Sequence, residues 1–287
     1  MTGQLWLVST PIGNLGDLPP RAVATLRACA LICCEDTRHS GKLLSHAGVA
    51  GVRLAVANEH TEEARTAEVL ELLSGGHDVA VLTDAGTPGI SDPGARLVRG
   101  AIADGYRVSA VPGPAALVMG LVLSGFDTTR FVFEGFLPRS GKDRAQRIAE
   151  VASERRTIVL YEAPHRVQRT VTDLLAACGP GRNIALAREL TKLHEETWRG
   201  TLAEAAVHIT DNEPRGEFVV IVEGAPPAVA DASDEAITGA LRTALAGGAD
   251  RRTAIATVTA ATGATKRRVY DLALTIPRQS HTVDQTR

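Results

Sequence analysis

The sequence predicts an α/β protein with two sheet-bearing parts and a small helical appendage, and three observations carry that prediction. Over residues 1–113, short and nearly continuous apolar runs alternate with helix-periodic segments. This is the βαβα rhythm of a mostly parallel sheet covered by helices on both faces. From about Pro114 strands begin to follow one another, which predicts a second, α+β part with an antiparallel or mixed sheet. The stretch APPAVADAS (225–233) then has linker composition, and three short helical segments follow. The expected divisions are 1–113, 114–226 and 232–287.

In order, LWLVST, ALICCE, VRLAVA, DVAVLTD and YRVSAVPG read as strands of the first part, with helices near 20–29, 40–47, 61–74 and 92–104. LPP before RAVATLRAC places proline at a helix start, and Gly105 stands just past the end of SDPGARLVRGAIADG. In the second part AALVMGLVLSG, GKDRAQRIAEVASERR and HRVQRTVTDLLAAC read as helices. FVFEGF, TIVLYEA, NIALARE, ETWRG and GEFVVIVEG read as strands, the last three in succession. EAITGALRTALAGG, RRTAIATVTAATG and TKRRVYDLALTI close the chain as three helices, the last two joined at Gly263 like a helix-turn-helix.

Composition narrows the function classes. At 287 residues, 44% hydrophobic and 22% charged, the chain is neither disordered nor fibrous and is long enough for two domains. An aromatic share of 3% argues against a base-stacking sheet, and a net charge of −2 gives no global attraction for a polyanion. No run approaches a membrane-spanning length and the N-terminus lacks a signal-peptide pattern, so a cytoplasmic protein that does not enter a membrane is expected. Cys29, Cys33 and Cys34 read as small apolar residues and Cys178 stands alone, so neither a disulfide framework nor a metal site is expected.

The chemistry is expected in the loops that follow the strands, because ligands of open α/β sheets bind beyond the strands' carboxyl ends. STPIGNLGDL has neither a Walker phosphate loop nor a dinucleotide fingerprint. TDAGTPGISDPG packs Gly86, Pro88, Gly89, Pro93 and Gly94 between and beside Asp84 and Asp92, and VPGPAA follows a third strand. Glycine admits close backbone approach and proline holds a loop still, so the three loops describe a rim around one crevice. The rim carries an acid and almost no lysine or arginine. A triphosphate would want cations there, whereas a cationic nucleoside such as S-adenosylmethionine suits a carboxylate and bare backbone.

The segments STPIGNLGDL, CEDTRHSGKLL, TDAGTPGISDPGA, VPGPAA, LYEAPHR, RELTKLHEETWRGTL and GEFVVIVEG resemble, in order and spacing, the ribosomal RNA small subunit 2′-O-methyltransferase family, a branch of the tetrapyrrole methylase superfamily. The resemblance runs from about residue 4 to 224, and YEAPHR and RELTKLHEE resemble the ribosomal RNA branch rather than the porphyrin-modifying enzymes. It implies a tetrapyrrole-methylase-like fold, a homodimer, S-adenosylmethionine in the cleft between the two parts, and methylation of a cytidine ribose in the decoding region of 16S ribosomal RNA, with the assembled small subunit as partner. By position it carries cofactor contacts onto Pro11, Asp84, Thr87, Ala115 and Ala116, and onto Tyr161. The chain departs from the pattern at Ser140, where relatives often have lysine, and in VANEHT, where they are richer in aromatics.

Methyl transfer to a ribose hydroxyl needs an in-line geometry and a base or cation for a poor nucleophile. The candidates are Lys192 and Glu189 in RELTKLHEE and His165 and Arg166 in EAPHR. A lysine serves as base only if its pKa is depressed. Glu189 and Lys192 read equally well as a solvated ion pair, and His165 as a cap of its own helix. Asp36, Arg38 and His39 stand on the same rim and could meet substrate or a partner subunit. Six basic residues oppose three acidic ones over 138–156, and six oppose two over 250–278, local patches suited to RNA phosphates or to a solvated helix face. The competing readings are a tetrapyrrole methyltransferase, which would not need these patches, and a ribosome-assembly factor that binds RNA without catalysis.

Overall fold

The computed structural model describes residues 2–58, 61–226, 232–247 and 249–276. They fall into two compact units, 1–224 and 225–287. Arg278, counted in the basic tail, lies outside the described residues.

The first unit opens with a fully parallel sheet of β1 (Gln4–Val8), β2 (Leu31–Cys34), β3 (Arg53–Val56), β4 (Val79–Val81) and β5 (Arg107–Val111), in the order β3-β2-β4-β1-β5. Alternate residues feed two cores, which is why the strands read as unbroken apolar runs. Leu31 and Cys33 pack on one face with Val69, Leu73 and Leu97, and Ile32 and Cys34 on the other with Leu26 and Leu44. Each buried leucine contributes about 1.5–3 kcal/mol. The helices that cover the faces are α1 (Pro20–Ala28), α2 (Thr37–His46), α3 (Glu62–Ser74) and α4 (Ala95–Ala103). α2 starts three residues before the expected position because Asp36 caps it, accepting from the Arg38 amide at 2.8 Å. Burial pushes the Cys29 and Cys33 thiols up to about 12, leaving them without thiolate character.

The loop after β4 is fixed at its far end from an unexpected direction. Glu62, buried in the first turn of α3, accepts from the amides of Gly94, Arg96 and Leu97 at 2.8–3.2 Å, so one helix supplies the N-terminal cap of another.

The same unit continues with a mixed sheet of β6 (Phe131–Phe136), β7 (Thr157–Glu162), β8 (Asn183–Arg188), β9 (Glu196–Thr201) and β10 (Phe218–Val222), ordered β6-β7-β10-β8-β9. Only β6 and β7 run parallel. α5 (Ala116–Ser124) lies on one face, where a Cβ on Gly120 would stand 2.7 Å from Val219 and so glycine permits close approach. α6 (Gly141–Ser153), α7 (Pro164–Cys178) and α8 (Leu202–Asp211) accompany this sheet in sequence, and Val151, Val171 and Ile209 pack with Leu186 and Val220 in the core opposite α5.

α8 corrects the expected run of three successive strands. It enters directly from β9 through a capping box, with the Glu204 amide donating to Thr201 Oγ1 at 3.3 Å and the Thr201 amide donating to Glu204 Oε2 at 2.8 Å.

The second unit is three helices, α9 (Asp234–Ala246), α10 (Arg251–Thr262) and α11 (Lys266–Leu274), capped by Ser233, Asp250 and Thr265. Gly263 turns between the last two with a φ of 65°, the left-handed conformation glycine adopts without strain. Ile237, Leu241, Ile255, Val258 and Val269 form its core.

Candidate active site

The three glycine- and proline-rich loops leave β1, β4 and β5 on one side of the parallel sheet and are tied together there. Thr10 and Gly86 exchange backbone hydrogen bonds at 2.8 and 3.2 Å, Thr10 Oγ1 donates to the Thr83 carbonyl at 3.2 Å, and the Ser9 amide donates to the Val111 carbonyl at 3.2 Å. A Cβ on Gly113 would stand 2.8 Å from that of Ser9, so glycine is what lets the third loop close on the first. Ala115 and Ala116 follow and start α5.

Across this rim stand side chains from the mixed sheet. Tyr161 accepts from the Leu117 amide at 3.1 Å and packs against Phe133 and Phe136. Between the two sheets lies a cavity of about 650 Å³, lined by Thr87, Ala115, Ala116, Tyr161 and His165 among the residues singled out from the sequence. Ile12, Ile90, Leu190 and Val219 give it apolar walls; among the described residues its lining holds no lysine or arginine, while Asp92 and Glu162 are acidic. Burial, and then the Asp84 charge, push the Asp92 carboxyl above its usual range.

A second cavity of about 370 Å³ adjoins it, and Ile12, Ala85 and Glu217 line both. Pro11, Asp84 and Lys192 belong to this smaller space, together with His39 and Lys42 from α2. Asp84 Oδ1 is buried with no hydrogen-bond partner among the described residues.

Lys192 reaches into the cleft from the loop after β8. Its ammonium donates to Glu189 Oε1 at 2.9 Å and Glu217 Oε2 at 2.7 Å, and its stem lies over Gly13, where a Cβ would come within 2.3 Å of Lys192 Cγ. Glu189 also accepts from the Glu217 amide at 3.0 Å. Burial lowers the Lys192 pKa, but hydrogen bonds from the ammonium to Glu217 and Glu189 outweigh it and hold it above the ordinary lysine value. For Glu189 burial raises the pKa, but the Glu217 amide and Lys192 outweigh it and hold the carboxyl below its usual range. The side chains are 28% and 20% exposed, so this is a half-buried pair rather than a solvated one.

The four candidate catalytic side chains stand in different surroundings. The Lys192 pKa is raised by its bonds to Glu217 and Glu189, opposite to the depression a lysine base requires. Arg166 lines neither cavity; its guanidinium pairs with buried Glu162 at 3.1 Å and donates to the Leu137 carbonyl, fastening α7 to its sheet. Glu189 lines neither cavity and touches them only through its bond to Lys192. His165 sits in the first turn of α7 with its side chain capping nothing, which leaves the ring to the cavity. Arg38 pairs with Asp36 at 2.8 Å, and hydrogen bonds from the Arg38 side chain and amide hold that carboxyl at about 2.

Three non-glycine residues among those described have left-handed backbone, Ser91 (φ 60°), Glu189 (52°) and Thr191 (67°), and all three belong to loops of this cleft. Such strain persists only where surrounding structure enforces it, and it clusters at functional sites. Glu217, Leu190, Phe136 and Lys42 were missed in the sequence. Lys42 carried a signal, since it lies three residues after His39 on a helical face; the others are brought in by sheet order.

The apolar walls, the neighbouring acids and the absence of cations in the larger cavity fit the nucleoside and sulfonium of S-adenosylmethionine.

Comparisons with known proteins agree with this geometry. The chain is 45% identical over 273 residues, 95% of its length and 98% of the other's, to the ribosomal RNA small subunit methyltransferase I of Synechocystis sp.. It is 44% identical over 222 residues to the protein of that name in Thermotoga maritima, covering 77% of this chain and 99% of that one. Among solved structures, the methyltransferase CobJ (TM-score 0.59, 20% identity, 78% and 95% of the two chains) and a uroporphyrin-III C-methyltransferase from Thermus thermophilus (0.52, 21%, 78% and 94%) share its fold. The model of the tetrapyrrole (corrin/porphyrin) methylases matches residues 4–206, and the chain belongs to that family.

Proposed function

We propose that this protein transfers the methyl group of S-adenosylmethionine to the 2′-hydroxyl of a cytidine ribose in the decoding region of small-subunit ribosomal RNA, in the cytoplasm and on the assembled particle. The observation that carries the proposal is the pairing of an apolar cavity, whose lining among the described residues holds no lysine or arginine, with an adjoining one lined by Lys42 and Lys192 as well as by Asp84 and Glu217. The printed names of its relatives support the same substrate.

Bound in the larger cavity, S-adenosylmethionine supplies an electrophilic methyl on a sulfonium. Thr87, Ala115, Ala116 and Tyr161 form its walls, and among the described residues no lysine or arginine lines it to repel a cationic donor. Lys192, held protonated, stabilises negative charge developing on the acceptor oxygen. Proton acceptance falls to a different group, and His165, whose imidazole lines the larger cavity, is the candidate. The outward face of α5, with Val118, Met119 and Val122 exposed, supports burial of that face in a homodimer.

The test is transfer of labelled methyl to unmodified small subunits, stripped ribosomal RNA and a reduced tetrapyrrole side by side. Label in a subunit ribose is the expected result. Label confined to the tetrapyrrole would overturn the reading, and selective stabilisation by S-adenosylmethionine would dispose of a non-catalytic assembly factor.

A further inference from the structure

We propose that the smaller cavity seats the acceptor nucleotide, and that Lys42, with His39 one helical turn before it, holds the phosphate beside the methylated ribose. The inference rests on the RNA reading above and adds to it a site and a residue.

Position comes first. Ile12, Ala85 and Glu217 line both cavities, so the two spaces adjoin, and at that edge a donor in the larger and an acceptor in the smaller can meet at the roughly 3–3.5 Å an in-line transfer requires. Volume agrees, because about 370 Å³ suits one nucleotide, whereas a four-pyrrole macrocycle with its carboxylate arms outsizes it.

Charge then separates the two spaces. The larger cavity lacks lysine and arginine among its described residues, while the smaller is lined by Lys42, Lys192 and His39 beside the carboxylates of Asp84 and Glu217. Lys192 is already committed to Glu189 and Glu217, and nearby Arg38 to Asp36. Lys42 has no ion-pair partner among the described residues and is exposed, so its charge is available to an incoming anion. His39, Lys42 and Leu43 fall at the spacing that puts three side chains on one face of α2, and that face borders the cavity.

The remaining walls suit a nucleoside. Half-exposed Leu15 offers apolar surface to a base, and the unpartnered Asp84 Oδ1 is an acceptor for a sugar hydroxyl. The bare backbone of Gly13 lets Lys192 close the wall toward the donor, since a Cβ there would collide with its stem.

The experiment compares full-length Lys42→Ala and Lys42→Arg with the natural protein on unmodified small subunits, over 50–200 mM salt, with S-adenosylmethionine affinity read by calorimetry and folding by thermal melting. Lys42→Ala is expected to raise KM for the subunit about tenfold and to make the plot of log(kcat/KM) against log salt shallower by roughly 0.7–0.9, with donor affinity unchanged. Lys42→Arg is expected to restore the slope. A KM and slope equal to those of the natural protein, or a parallel loss of donor affinity, would overturn the inference while methylation of the subunit by the natural protein leaves the RNA reading standing. Failure of the natural protein to methylate subunit RNA would overturn both.

Discussion

The parallel sheet meets the cleft mostly through backbone, in the tied loops around Thr10, Gly86 and Gly113, whereas the mixed sheet meets it through side chains, Tyr161, His165, Lys192 and Glu217. Loops of glycine and proline fix a shape, and polar side chains fix charge and proton positions. Under the proposed function, the first half shapes the donor's seat and the second supplies most of the polar groups beside it. Lys42 and His39 of α2, and Asp84 and Asp92 after β4, are exceptions, side chains that border the cavities.

The largest effect should come from the side-chain half. Lys192→Ala is expected to lower kcat about a hundredfold, the usual cost of removing one charge-stabilising group, with donor affinity within about twofold. Its pH behaviour sharpens the point. Because the Lys192 pKa is raised, its ion-pair stabilisation is fully present below the ordinary lysine value and is lost only as pH rises through the raised one. Because that of Glu189 is lowered, its contribution is present above the ordinary carboxylate value and is lost as pH falls through the lowered one. Rate profiles between about pH 6 and 9.5 should therefore coincide in shape for the natural protein and Lys192→Arg. A basic limb that moves with the substitution would restore lysine as the base.

A backbone change should strike the other half. Gly113→Val drives a Cβ toward Ser9 and is expected to cost about 1–3 kcal/mol of stability by chemical denaturation, with donor binding lost before the mixed sheet unfolds. If donor affinity survives, the loops do not provide the grip. Tyr161→Phe removes the acceptor of the Leu117 amide, and a loss of about 1 kcal/mol in donor binding, several-fold by calorimetry, is expected. Smallest is the effect of Lys266→Glu with Arg267→Glu on α11, both exposed. A few-fold rise in KM for the subunit with no change in donor affinity would assign that helix to RNA; no change would leave it a solvated face.

Much of this was legible in the sequence because the central strands of the parallel sheet, β2 and β4, are buried on both faces and helices such as α2 and α4 carry a clear apolar stripe. α8 was not, although Thr201 and Glu204 spelled its start; it follows β9 directly, with no intervening loop to mark the change from strand to helix. The loops of the cleft were legible from glycine and proline, and Thr87, Ala115, Ala116, Tyr161 and His165 do share one cavity. What sequence could not show is that β10 sits between β7 and β8, which brings residues near 161, 190 and 217 side by side. Nor could it show that Glu189 and Glu217 would keep Lys192 charged, since the second partner lies 25 residues away.

The order of strands also bears on how the chain is made. In each sheet an interior strand is out of sequence order with its neighbours: β1 waits for β4 and β5, and β10, the last strand of the unit, completes the pairing of both β7 and β8. Pairings of such long range form slowly, and until the partner is synthesised they leave open strand edges. During translation the opening loop therefore has no fixed wall until about residue 111 has been made, and the mixed sheet remains two separate pairs until about residue 222. The cleft draws on both sheets, so the newborn chain is expected to gain its ligand-binding competence late and in one step, when the central strand of the second sheet arrives.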